Sequence, residues 1–164
     1  MHDVSDDTPR TALPDQLRII AWVDPIADRL GFPPHHPYSE LLWLPIIGPA
    51  STLAWRRLSG MLENTPDGFD LDVAQLAQDL GLGTGTGGHA PISRTLRRVA
   101  QFGLAVFVDA GTYAVRRRIP PISTGQRRRV SPQLQRLHTA LLASHDDERL
   151  RREQVERTSV RRGA

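Results

Sequence analysis

Apolar positions between residues 49 and 102 recur at helical spacing. Leu58, Met61 and Leu62 follow i, i+3, i+4 spacing and Trp55 precedes Leu58 by three, placing them on one face of a helix opened by Gly48-Pro49. Pro66-Asp67-Gly68 interrupts that pattern as a turn, and Phe69-Asp70-Leu71 alternates as a short strand does. Val73, Leu76, Ala77 and Leu80 form a second helical stripe, with Asp72 in the N-cap position and Gly81 at the stop. After a glycine-rich stretch at 81–88, Pro91 opens a third helix. Ile92, Leu96, Val99 and Ala100 are its inner face and Gly103 its terminator. Residues 105–108 and 112–119 flank the turn Asp109-Ala110-Gly111 and read as a β-hairpin stopped by Pro120-Pro121.

The flanks read differently. Residues 1–16 are polar, acidic and proline-containing, the composition of a disordered acidic tail. Residues 17–23 are apolar enough to pack, Asp24-Pro25 is an N-cap followed by a first-turn proline, and Pro33-Pro34-His35-His36-Pro37 reads as a linker. Residues 17–44 are therefore expected to be an N-terminal helical extension with a proline-rich linker. Residues 45–121 form the main domain, 122–131 a basic linker, and 132–164 a helix with Leu134, Leu137, Leu141 and Leu142 on one stripe, running into a charged tail. The expected class is mainly α with a small β-hairpin, hence α+β. Helix, strand, helix, turn, helix, hairpin is the order of a winged helix-turn-helix, here with N- and C-terminal helical extensions.

Charge changes the picture more than composition does. The chain has 164 residues, 39% of them apolar, and no cysteine, which excludes disulfides, thiolate metal sites and cysteine nucleophiles. The acidic start does not resemble a secretory leader, and the apolar run 41–47 is far too short to span a membrane, so a cytoplasmic, nucleoid-associated protein with no membrane partner is expected. Net charge is only +3, and every basic residue is arginine. Yet residues 90–136 hold ten arginines against one acid, Asp109. Clustered charge of one sign points to a polyanion partner.

The helix at 91–102 and the hairpin at 105–119 carry the candidate chemistry. With Ile92, Leu96, Val99 and Ala100 inward, the opposite face shows Ser93 in part, Arg94, Thr95, Arg98 and Gln101, with Arg97 at the flank, and Ser93, Arg94, Arg97, Arg98 and Gln101 are the candidate DNA-binding residues of a recognition helix. Strand alternation puts Ala114, Arg116 and Arg118 outward if Tyr113 and Val115 face inward, making Arg116 and Arg118 the candidates of a basic wing. Arg127, Arg128 and Arg129 extend the strip for phosphate contacts. The segment 83–88 formally matches G-x-G-x-x-G, but it follows a helix and lacks a βαβ unit, so no nucleotide site is expected. The six histidines show no ligand spacing, and no nucleophile–base set can be assembled. No metal, cofactor or catalytic residue is assigned, and an enzyme is not expected. Trp43 and Trp55 are expected in the core.

The segments Trp43-Leu44-Pro45-Ile46-Ile47-Gly48-Pro49, Trp55-Arg56-Arg57-Leu58, Pro91-Ile92-Ser93-Arg94-Thr95-Leu96-Arg97-Arg98, Gln101-Phe102-Gly103-Leu104-Ala105 and Ala114-Val115-Arg116-Arg117-Arg118-Ile119-Pro120-Pro121 resemble a group of actinobacterial winged-helix proteins of undefined role. The resemblance covers about residues 40–125. It implies a fold and, through the wider superfamily, binding of double-stranded DNA by the third helix and the wing. Transcriptional regulation is the expected role. The same superfamily includes modules that bind structured RNA, as on a ribosome, or only protein. In the protein-binding alternative, Leu134, Leu137 and Leu141 are the seam of a homodimer.

Overall fold

A computed structural model describes residues 11–162, with side chains described through residue 159. The chain divides between Pro120 and Pro121 into two compact units.

The first unit is α+β. Four short strands, β1 (Gln16–Trp22), β2 (Phe69–Asp72), β3 (Ala105–Phe107) and β4 (Thr112–Arg116), form one mixed sheet in the order β2-β1-β4-β3. β1 runs antiparallel to β2 and parallel to β4, while β3 and β4 form the antiparallel hairpin. Residues 17–22 thus correct the expectation of a helical extension: they are an inner strand. Gln16, assigned to the tail by composition, is its first residue. A short, mostly apolar run suits a strand or a buried helix segment equally by periodicity. Its partners decide. Leu17 and Ile19, both fully buried, lie opposite Leu71 and Phe69, and Arg18 lies opposite Asp70. The Arg18 guanidinium reaches the Asp70 carboxylate at 3.4 Å and the Asp67 carbonyl at 3.0 Å, an opposite-charge cross-strand pair. The turn before β2 is pressed against this strand. Gly68 has φ +87°, and a Cβ there would lie 2.4 Å from the Ile19 carbonyl oxygen, so glycine is required.

Beyond β1, Asp24 caps α1 (Pro25–Leu30) as expected, accepting from the amides of Ile26 and Ala27. The proline-rich stretch is packed, which corrects its reading as a linker. Phe32 and Tyr38 are fully buried and stacked at 3.9 Å, and Phe32 exchanges backbone hydrogen bonds with Ile119. A π-helical turn, Ser39–Trp43, leads into α2 (Leu44–Ile47). Then come α3 (Pro49–Asn64), α4 (Val73–Asp79) and α5 (Pro91–Gln101), each within a residue or two of its apolar stripe.

Three buried polar side chains fasten helices to strand and chain. Trp55 donates from its indole to the Arg116 carbonyl at 2.9 Å, and Trp43 donates to the Pro120 carbonyl at 2.9 Å. Tyr113 on β4 donates its hydroxyl to the Leu96 carbonyl of α5 at 2.7 Å. Burial pushes the Tyr113 phenol far above its ordinary pKa, so it stays a neutral donor. Both tryptophans are core residues, 0% and 2% exposed. Ala114 is buried as well, contrary to the outward position that simple alternation assigns it, because Ile20 on β1 and Val106 on β3 flank it. Both faces of an inner strand are shielded in ways an edge strand's are not.

In the second unit, α6 (Thr124–Arg127) lies within the stretch expected to be a linker. Ser123 and Gln126 form a reciprocal capping box there, which satisfies two end-of-helix donors and makes so short a helix possible. The Ser131 hydroxyl accepts from the Leu134 amide at 3.3 Å and starts α7, a 31-residue helix from Pro132 to Arg162. Its charged half continues the helix through Arg149–Glu153, Arg149–Asp146 and Arg152–Glu148 pairs at 3.0, 3.5 and 3.8 Å. Among the described residues no helix is long and apolar enough to cross a membrane.

Because Ile19 is fully buried between two paired strands, Ile19→Ala is expected to destabilise the first unit by about 2–4 kcal/mol in urea unfolding. A loss below about 0.5 kcal/mol would mean that β1 is not part of the core.

Candidate nucleic-acid interface

Helix α5 starts with Pro91 at its first position and is followed by Gly103 at φ +71°, a start and a stop written in the sequence. Ile92, Ser93, Thr95, Leu96 and Val99 are buried. Pro91, Arg94, Arg98 and Gln101 are exposed. From Arg94 to Gln101 this stripe extends about 10 Å, at about 1.5 Å per residue, and no acid occurs between residues 80 and 108.

The candidate residues divide by what already holds them. Arg94 and Gln101 make no side-chain hydrogen bond or ion pair among the described residues. Arg98 is exposed yet anchored: Nε and Nη2 donate to the carbonyls of Ile47 and Ile46 at 2.7 and 3.1 Å, and the guanidinium sits 5.1 Å from the centre of the Phe102 ring. It thereby satisfies carbonyls at the end of α2 while keeping its charge. Ser93 is a correction. It is fully buried and donates to the Thr86 carbonyl at 3.2 Å, so no DNA group reaches it. Arg97 is half-buried and donates to the carbonyls of Gly88, at 2.7 Å, and Thr11. Ser93 and Arg97 together hold the glycine-rich loop against α5, which accounts for how a long, open turn keeps one position. The loop follows α4 directly, with no βαβ unit.

The expected basic wing is also corrected. Arg116 pairs with Asp24, donates from Nε to the Gly103 carbonyl at 2.7 Å, and lies 4.2 Å from the centre of the Trp22 ring; its side chain is 17% exposed. Arg117 pairs with Asp28 at 3.0 Å, and the half-buried Arg118 donates to the Gly31 carbonyl at 3.4 Å. The cause is β1. By pairing with β4 it delivers Asp24 and Asp28 to the strand's end, where they pair with Arg116 and with Arg117, whose side chain stays 40% exposed. At the hairpin turn stands Asp109, whose carboxyl is held below its ordinary range by the Gly111 amide at 2.8 Å and the Thr112 hydroxyl. That tip is acidic, not basic. Asp24 and Asp28 are the residues sequence reasoning missed, and the acidic balance of the first fifty residues is the signal that was available.

Arg127, Arg128 and Arg129 belong to the second unit, where all three are exposed and make no side-chain pair among the described residues. Neither family models, curated proteins nor solved structures match the chain.

Two outcomes follow from these contacts. Arg97→Ala is expected to release the loop, seen as faster amide hydrogen exchange at residues 86–88, whereas Arg94→Ala leaves exchange and stability within about 0.5 kcal/mol of the wild type; equal effects from both would contradict the division made above. The second concerns acid. The Ala27 amide and then the Arg116 guanidinium hold the Asp24 carboxyl below its ordinary value of 3.8. A depressed folded-state pKa contributes stability that is present above the unfolded value and is lost as pH falls through the folded one. Between pH 5 and 2, the stability of Asp24→Asn should therefore fall less steeply than that of the wild type in acid-titrated urea melts. Parallel curves would show that the pair contributes nothing to the linkage.

Proposed function

We propose that this protein is a winged helix-turn-helix DNA-binding protein acting as a transcriptional regulator, with α5 as the helix that enters the major groove. The observation that carries the reading is the exposed stripe Arg94, Arg98 and Gln101 on a helix whose opposite face is locked into the core, in a stretch of sequence free of acids. A helix fits the major groove, and arginine bridges O6 and N7 of guanine. Helix, strand, helix, helix and hairpin in residues 49–116 follow the winged-helix order, in keeping with the actinobacterial resemblance.

The roles are narrower than the sequence suggests. Arg94, in the N-terminal half of α5, is the residue best placed to read a base edge. Arg98 supplies a fixed positive charge beside it, and Gln101 contacts the same groove further along. Ser93 and Arg97 shape the loop, and Arg116 and Arg118 shape the sheet edge.

Fluorescence anisotropy with duplex DNA, titrated across salt, tests the reading. Five neutralised phosphates give a log–log slope of about −4.5, at about 0.9 per phosphate. The double variant Arg94→Ala with Arg98→Ala should bind the preferred duplex at least about tenfold more weakly, in line with about 1–3 kcal/mol for a bidentate base contact. Unchanged affinity in that variant would remove α5 from the interface.

A further inference from the structure

We propose that the second unit carries a polyanion-binding surface of its own, made by Arg127, Arg128, Arg129 and Arg136, and that its ligand is the phosphodiester backbone of duplex DNA. This rests on the DNA-binding reading above and adds to it a second contact surface, independent of α5.

The four guanidinium groups occur within ten residues, on α6, the turn after it and the first turns of α7. All four are exposed and none makes a side-chain hydrogen bond or ion pair among the described residues. No acid occurs from residue 110 to residue 145. The far half of α7 is different. There Arg149 and Arg152 are neutralised within the helix by Asp146, Glu153 and Glu148. One helix thus has a far half of mixed charge, in which Arg149 and Arg152 are paired, and a near end that holds arginine with no acid.

A groove of about 570 Å³ lies along this basic end, lined by Arg127, Gln135, Arg136 and Thr139 with the small apolar surfaces of Pro132 and Ala140. The uncompensated field reaches the buried helix face as well. His138 has its pKa lowered by burial first and by the charge of Arg127 second.

The chemistry of the lining selects the ligand. The second unit has no phenylalanine, tyrosine or tryptophan, and the His138 ring is buried, whereas single-stranded nucleic acid depends on exposed rings on which bases stack. The apolar lining of the groove is Pro132, Ala140 and Ala143, with none of the aromatic or large aliphatic side chains that commonly anchor protein interfaces. What the surface offers is four exposed guanidinium forks, each of which matches phosphate oxygens two at a time.

The experiment uses the full chain and a random-sequence duplex. The quadruple variant Arg127→Gln, Arg128→Gln, Arg129→Gln, Arg136→Gln should bind with a salt slope shallower by about 3 to 4, at about 0.9 per phosphate, with an unchanged melting temperature. A second readout follows the His138 imidazole by NMR across pH. Added duplex should raise its pKa in the wild type, because phosphates cancel the charge of Arg127. In the variant, the pKa should start higher and stay unmoved by DNA. Wild-type binding with a slope altered by less than about one in the variant overturns this inference and leaves the α5 reading standing. Displacement by poly-glutamate as readily as by duplex overturns it in favour of an acidic protein surface. No binding of DNA by the wild type overturns both.

Discussion

The pairing of β1 on both of its edges is the constraint from which the first unit follows. β2 and β4 are not neighbours in this sheet; β1 stands between them, and each edge of β1 is satisfied by a different segment of the chain. An unpaired backbone group inside the sheet costs about as much as a lost hydrogen bond, so the helical part of the unit and its hairpin are joined through seven residues near the start. Buried Leu17 and Ile19 place the strand's inner face in the same core as Trp55, Leu96 and Tyr113. The Tyr113 hydroxyl then fixes α5 to β4.

That pairing also decides where charge is available. α1 follows β1 immediately, so Asp24 and Asp28 arrive at the end of β4 and take up Arg116 and Arg117. The Asp24–Arg116 pair is partly exposed, with 27% and 17% of the two side-chain surfaces open, so water screens it and its contribution is modest. Arg97 and Arg98 are occupied with carbonyls of the glycine loop and of α2. A block of ten arginines in the sequence therefore becomes two limited sources of field: the exposed stripe of α5 and the start of the second unit.

α3, α4 and α5 were legible in the sequence and β1 was not, for one reason. Val73, Leu76, Ala77 and the stripe of α5 are long periodic patterns bounded by Asp72, Gly81, Pro91 and Gly103, so local chemistry alone sets their type and ends. Residues 16–22 have the composition of either element, and only β2 and β4 make them a strand. Likewise the outward count for β4 treated it as an edge. Side-chain availability is a tertiary property: Arg116 and Asp24 are 92 positions apart, and Ser93 looks exposed by spacing until the loop at Thr86 covers it. The paired caps at Ser123 and Gln126 were readable in principle, since the motif is local.

In the proposed reading the fold pairs Arg116 and Arg117 within the first unit and leaves Arg94 available to DNA. Arginine side-chain NMR, following each Nε–Hε signal as a duplex is added, tests it most directly. Arg94 should shift with the duplex while Arg116 and Arg117 stay in place. Movement of Arg116 or Arg117, with Arg94 unmoved, would contradict it and return the hairpin to the interface.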